Sequence, residues 1–436
     1  MLNLLQTEAL DVIKKGKSLF LTGPPGVGKS YTLTKIIDYL NENNITYGLT
    51  AMTGCAAVLI KGQTLHSFLG IGLGRDSIDT LYNKISNNKK KFNLLLNLDT
   101  LIIDEISMMN DVFFEKISKL LSKIKNTTKP FGNIRLILIG DFYQLPPVTG
   151  DYCFKSEIWN KINLTNIQLT EIIRQKDDLD FQNILNSIRK GKITLTKFNK
   201  LKMLSDTVFD NNIFPTKIYS LKKDVDLINK NNFYNLIIKN NEPLLTCFND
   251  ITDNISSLTI ECNYNKNDEY NNDVNYYKKY IYKYNAFTND KYINVKDYEV
   301  SLTVGSQVMI TRNINFDNEL INGKKGIVVK LEMSFVVIKD YDNNIFKIEY
   351  YKDDSVYNNN YVKFMPLTLA YAITVHKSQG STLDYIEIDG SSNNFAPGQL
   401  YTALSRAKNM KNIKLINISE DALIINRDVL KFYSNL

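Results

Sequence analysis

The sequence predicts an α/β protein with two parallel sheets flanked by helices. Short apolar runs alternate with amphipathic segments along most of the chain, an order that packs helices onto a parallel sheet. One of those runs leads into a glycine-rich turn and then a helical pattern at 31–40. The last strand-like runs lie far from the first group, so two sheets are the simplest arrangement.

The strand expectations, in chain order, are 18–22, 46–51, 100–104, 134–140, 217–221, 385–389 and 413–418. Between the third and fourth, residues 111–125 form an amphipathic helix pattern that places Val112, Ile117, Leu120, Leu121 and Ile124 on one face, with lysines opposite. Residues 302–364 read differently. Their β-branched clusters, Gly305, Gly323 and Gly326, and the alternation after Gly326 predict a small all-β insertion. Residues 75–98, with Lys84, Lys89, Lys90 and Lys91, read as a helical hairpin inserted in the first half.

Composition narrows the class. The chain has 436 residues and a net charge of +7, a basic lean compatible with a polyanionic partner without requiring one. Its four cysteines, Cys55, Cys153, Cys247 and Cys262, are widely spaced. That argues against a disulfide framework or a cysteine metal site and for a reducing compartment. No apolar run reaches membrane-spanning length and the start lacks a signal-peptide pattern, so a soluble intracellular protein without a membrane partner is expected. The stretch 263–292 is dominated by Asn, Lys, Ile and Tyr, a bias that an AT-rich genome, such as that of a large DNA virus, explains more simply than a function does.

The chemistry starts at Gly23-Pro24-Pro25-Gly26-Val27-Gly28-Lys29-Ser30. A strand feeding a glycine-rich turn lets backbone N–H groups encircle a polyphosphate, because Gly23, Gly26 and Gly28 tolerate positive φ. Lys29 would reach the β and γ phosphates, and the Ser30 hydroxyl would hold magnesium. The second element is Leu101-Ile102-Ile103-Asp104-Glu105. An apolar strand ending in two acids suits nucleotide hydrolysis, with Asp104 holding magnesium and Glu105 polarising the attacking water. A third strand ends in Gly140-Asp141-Phe142-Tyr143-Gln144-Leu145-Pro146-Pro147, where Gln144 can sense the γ phosphate on a turn stiffened by the prolines.

Asp104 to Met108, the helix from Asp111 and the run Gly140 to Pro147 together resemble the PIF family of DNA helicases, in the branch of superfamily 1 that moves 5′ to 3′ on single strands. Ala51-Met52-Thr53-Gly54-Cys55-Ala56-Ala57 and Thr64-Leu65-His66-Ser67-Phe68-Leu69-Gly70 resemble the family's first DNA-contacting motifs. Leu169-Thr170-Glu171-Ile172-Ile173-Arg174-Gln175 resembles the segment carrying a γ-phosphate arginine. Val304 to Met309 with Ile321 to Gly323 resembles the entry to the family's small barrel. The segments from Leu369 to Gly380 and from Leu400 to Ala407 resemble its last two motifs. The match begins at Gln6 and runs in the family's order along nearly the whole chain.

The resemblance implies two RecA-like P-loop domains, 1–170 and 171–436. The first holds the 75–98 insertion, which is either DNA-facing or simply solvated, and the second a small β-barrel at about 305–362. It implies ATP and magnesium as cofactors, single-stranded DNA and single/double-strand junctions as partners, and a motor that works as a monomer. Arg174 and Arg406 would stabilise γ-phosphate charge, surface ion pairing being the alternative for each. Gln6 would meet the adenine edge unless it is an exposed helix-start residue, and Gly380 would lie at the nucleotide. Thr53, Gly54, His66, His376, Lys377 and Ser378 would follow the DNA strand through phosphate contacts. Phe68 would stack on a base or belong to the core, and Gln379 would touch DNA or the nucleotide cleft. A DNA-stimulated ATPase that remodels protein–DNA complexes without strand separation would carry nearly the same motifs.

Overall fold

Leu19, Phe20 and Leu21 are fully buried, on both faces of a parallel sheet, which is why this strand reads as an unbroken apolar run. The computed structural model describes residues 2–209, 215–239, 282–288, 295–312, 314–315, 320, 323–340, 343–353, 361–391 and 396–436. They fall in two units, Met1–Leu221 with Ile373–Leu436, and Lys222–Ala372.

The first unit contains a six-stranded sheet made of β1 (Leu19–Thr22), β2 (Tyr47–Ala51), β3 (Gln63–Thr64), β4 (Thr100–Asp104), β5 (Arg135–Ile139) and β6 (Thr165–Gln168). Their order is β3-β2-β4-β5-β1-β6, with every pairing parallel. Four of these strands stand where the sequence predicts them. β6 was not predicted, because its Thr-Asn-Ile-Gln carries a single apolar residue. Helices Leu4–Lys14 and Lys29–Glu42 pack on the sheet through Ala9, Val12 and Ile13 and through Leu33, Ile36 and Leu40, spacings of three and four that keep one helical face inward.

The helix Asp111–Ile124 buries Phe114, Ile117, Leu120, Leu121 and Ile124. Val112 is 65% exposed, which corrects its expected place on that face. Five residues separate it from Ile117, so the two point about 140° apart at 3.6 residues per turn, and Phe114 takes the inward position. Residues 75–98 form the expected helical pair, Ile78–Ser86 and Lys89–Leu96, burying Leu81, Ile85 and Leu95. Lys91 donates to the Phe68 carbonyl at 2.8 Å.

The same unit holds a second sheet, in which Thr216–Tyr219, Ile386–Asp389 and Ile413–Ile416 pair in parallel. The expected second parallel sheet is therefore present.

Lys222–Ala372 is built mainly from antiparallel strands. Its largest sheet runs in the order Ile345–Glu349, Phe335–Lys339, Lys325–Leu331, Gln307–Ile310, Leu367–Leu369, with Val308, Ile310, Val328, Val336, Ile338 and Ile348 buried in its core. The stretch 263–292 lies outside the described residues apart from 282–288, which supplies strands Tyr282–Tyr284 and Phe287–Thr288. Cys247 and Cys262 also lie outside them, while Cys153 is buried and free. No helix among the described residues is long and apolar enough to cross a membrane.

Candidate functional site

Because β1, β4 and β5 run in parallel, their following turns share one edge of the sheet, where ligands of open α/β folds bind. Gly23 follows β1, Asp104 ends β4 and Gly140 follows β5.

The turn after β1 needs its glycines for space as well as for backbone conformation. Gly26 and Gly28 have φ of +82° and +86°. A Cβ on Gly26 would lie 2.5 Å from Arg174 Cβ, and one on Gly28 would lie 2.7 Å from Gln6 Nε2. Gly28 also caps the helix beginning at Lys29, so free N–H groups and the positive end of the helix point into the turn. Lys29 Nζ donates to the carbonyls of Gly23 at 2.7 Å and Pro24 at 3.0 Å. Burial lowers its pKa, opposed by Asp141, Glu105 and Asp104. Ser30, at the start of the same helix, is exposed at the mouth of the turn.

Gln6 is 2% exposed, which excludes a solvent-facing helix start. Its Oε1 accepts from Asn3 N at 3.0 Å in a capping box, and its Nε2 reaches the Val27 carbonyl at 3.4 Å. This holds it against the glycine turn.

Asp104 and Glu105 are each 9% exposed. Asp104 Oδ1 accepts from the Glu105 backbone at 2.8 Å, and Glu105 adopts φ +55°, a left-handed conformation uncommon outside glycine and typical of strained functional positions. Burial, and then Glu105, push the Asp104 carboxyl up to about 7. Burial also raises Glu105, against Lys29, Arg406 and a hydrogen bond from Gln379. Two buried acids side by side call for cations, which makes this pair a fitting magnesium and water site.

The cations come from later segments. Arg406 is 2% exposed. Its Nη2 contacts Gln144 Oε1 at 3.4 Å and Ser405 Oγ at 2.8 Å, and its Nε donates to the Thr402 carbonyl at 3.0 Å. Arg174 Nη1 donates to the Ser405 carbonyl at 3.0 Å. Burial and the like charge of Arg406 lower the Arg174 pKa, which still leaves a guanidinium protonated at neutral pH. Gln379 Nε2 donates to Glu105 Oε2 at 2.8 Å, so its amide lies at the carboxylate edge. The helix Gln399–Leu404, which leads to Arg406, is capped by Gly398 at φ +81°. A Cβ there would lie 2.3 Å from the Gln144 carbonyl and 2.6 Å from that of Tyr143.

The residues expected along DNA lie on or beside three short helices, Gly54–Leu59, Leu65–Leu69 and Val375–Ser378. Thr53 caps the helix Gly54–Leu59, its Oγ1 accepting from Ala56 N at 3.2 Å. His66 is half-buried and stacks on Phe113, 4.7 Å between centroids at 10°. His376, Lys377 and Ser378 occupy the short helix Val375–Ser378, where Lys377 is exposed and Ser378 buried. A Cβ on Gly380 would lie 2.7 Å from Leu59 Cδ1, so this turn meets the helix begun by Thr53 and Gly54. Gly380 is therefore placed beside that helix, while its neighbour Gln379 faces Glu105. Phe68 is 8% exposed with its ring against Gly48, in its core position.

The sequence model of the PIF1-like helicase family matches residues 1–199. The Pif1 ATP-dependent DNA helicase of Bdellovibrio bacteriovorus is 30% identical, over 98% of this chain and 90% of the relative. The chain belongs to the PIF1-like helicase family. A PIF1 ATP-dependent DNA helicase from Danio rerio is 32% identical over 99% of this chain, which spans 63% of that relative's length. Among PIF1 structures, the Bacteroides Pif1 helicase in complex with ADP-AlF3 and single-stranded DNA aligns with a TM-score of 0.69 at 27% identity, covering 100% of this chain and 97% of that one.

Within this PIF1-like framework, three residues join the site that motif reading passes over. Gln175 is 1% exposed and donates to the carbonyls of Ser405 at 3.3 Å and Ala407 at 2.7 Å; its position next to Arg174 was the available signal. Asp141, fully buried, pairs with Arg189, itself 6% exposed, through contacts of 3.0 and 3.3 Å. Arg189 ends an otherwise apolar-faced helix, Leu179–Arg189, and nothing in its local sequence marks it.

Proposed function

We propose that the protein is an ATP-driven DNA helicase that moves on single-stranded DNA, 5′ to 3′ as its family resemblance implies, and separates duplex or folded DNA. One observation carries this reading. Arg406, Gln379 and Arg174, from segments far beyond the glycine turn, converge on the edge that holds Lys29, Glu105 and Gln144. A nucleotide switch has no need of such a distal set, whereas a motor must couple nucleotide charge to movement of a second element.

In this reading the amides of the glycine turn and Lys29 bind the phosphates, and Gln6 meets the adenine. Ser30 and Asp104 would hold magnesium, which supplies charge neutralisation to the phosphate oxygens. Glu105, positioned by Gln379, accepts the proton of the attacking water. Arg174, Arg406 and Gln144 stabilise charge on the transferring phosphoryl group. Thr53, Gly54, His66, His376, Lys377 and Ser378 guide the strand. A groove of about 380 Å³, lined in part by Met52, His66, Arg75, Phe113 and Lys116, has the aromatic and basic character that sequence-tolerant strand binding requires. The bound Bacteroides relative supports both the nucleotide and the DNA assignment. RecA-like domains at 1–170 and 171–436, with insertions at 75–98 and about 305–362, and action as a single chain complete the proposal.

Strand displacement on duplexes with 5′ or 3′ tails tests it, beside ATP hydrolysis with and without single-stranded DNA. Unwinding of the 5′-tailed duplex and DNA-stimulated hydrolysis are expected, both lost in Lys29→Ala. Hydrolysis indifferent to DNA would overturn the reading. DNA-stimulated hydrolysis with neither duplex opened would favour a remodelling ATPase.

A further inference from the structure

We infer that Tyr433 is a positioning residue for ATP hydrolysis, its hydroxyl fixing the start of the glycine turn relative to the turn that carries Gln144. This rests on the ATPase reading of the site. Tyr433 lies on the last helix, Arg427–Ser434, yet its hydroxyl reaches two of the three strand ends that frame the nucleotide edge. It lies 2.6 Å from Thr22 Oγ1, the last residue of β1. It accepts from Phe142 N at 3.1 Å and donates to Asp141 Oδ1 at 3.3 Å, just beyond β5. With the tyrosine proton on Asp141, the Thr22 hydroxyl donates to Tyr433, and the set is mutually consistent.

The surroundings hold that hydroxyl in place. The Tyr433 ring stacks on Tyr143 at 4.5 Å and 15°. The Arg189 guanidinium stands 4.3 Å from the Tyr143 ring and 5.3 Å from the Tyr433 ring while it pairs with Asp141. Burial pushes the phenol well above its ordinary pKa, so the group stays a donor at neutral pH. The helix is anchored separately by Phe432, which contacts Phe20, Phe142, Phe154 and Trp159. Removing the hydroxyl alone therefore leaves the aromatic packing intact.

Thr22 directly precedes Gly23, and Asp141 and Phe142 lead to Gln144, whose Oε1 faces Arg406. Beyond the backbone bond from Gly140 N to the Leu21 carbonyl at 3.2 Å, the hydroxyl thus adds a side-chain tie between the phosphate-binding turn and the residues proposed to act on the γ phosphate. Ground-state nucleotide binding rests chiefly on the turn and Lys29, whereas Gln144 and Arg406 matter most as charge develops. A lost tie therefore lowers kcat more than it alters KM.

Steady-state ATP hydrolysis with saturating single-stranded DNA is measured for wild type, Tyr433→Phe, Thr22→Val and the double variant, together with melting temperatures. Each single variant is expected to lose about tenfold in kcat with KM for ATP within about twofold. The double variant is expected to lose no more than Tyr433→Phe alone, since that variant has already lost the bond to Thr22. Full kcat in Tyr433→Phe, losses that multiply in the double variant, or KM rising in step with a falling melting temperature would each overturn the assignment. If Tyr433→Phe does not fold, Thr22→Val decides alone by the same split. A wild-type protein that hydrolyses no ATP overturns the functional reading as well, whereas an active wild type with an unaffected variant overturns only this inference.

Discussion

The antiparallel sheet of 222–372 and the six-stranded parallel sheet of the first unit fill their interiors with different chemistry. The former buries Val308, Ile310, Val328, Val336, Ile338 and Ile348, and the Lys347–Glu349 ion pair on one of its strands is solvent-exposed. The latter is just as apolar along β1 and β4, but its carboxyl edge buries Asp104, Glu105, Asp141, Arg189 and Arg406. An apolar core loses stability in proportion to the volume removed. A buried charge cluster is held by mutual neutralisation, so one deletion strands a charge and costs far more than the contact it removes. The same desolvation that makes the cluster vulnerable is what makes its charges strong enough for catalysis.

The sharpest test of that contrast is Arg406→Ala. On its proposed role at the γ phosphate, the variant is expected to lower kcat by about a thousandfold, the order found for arginines that act on a transferring phosphoryl group, measured by phosphate release at saturating DNA. Next is Arg189→Ala, which leaves Asp141 buried and unpaired and should cost about 3–5 kcal/mol in urea unfolding. Replacing both partners together, Arg189→Met with Asp141→Leu, should recover most of that loss. If it does not, the edge is stabilised by something other than charge pairing. Ile338→Ala in the antiparallel sheet should cost about 2–4 kcal/mol, and no second substitution of a charged residue should rescue it.

Much of the site was legible because its residues sit at strand ends within short, fixed spacings. Lys29, Asp104, Glu105 and Gln144 follow three strands of one parallel sheet, so local sequence alone brings them together. Arg174 and Arg406 needed the family's motif order, since no local pattern tells a buried guanidinium from an exposed one. Arg189 and Tyr433 were missed for a related reason. Each ends an amphipathic helix, and its partners, Asp141 and Thr22, are distant in sequence. In the fold, β6 was hidden by its polar residues, although its pairing beside β1 settles its conformation. Val112 was misplaced because an apolar residue in a first helical turn was counted without its angle.

Gly398 gives the arrangement a mechanical character. Where the helix leading to Arg406 passes the Gln144 turn, there is not even room for a methyl group, and backbone faces backbone. Side chains between two elements act as springs, since rotamers yield before the main chain does. Here no spring is present, so displacement of one element is delivered to the other with little damping. In the motor proposed above, whose step would follow each hydrolysis event, a stiff joint at that point limits slippage between fuel and motion.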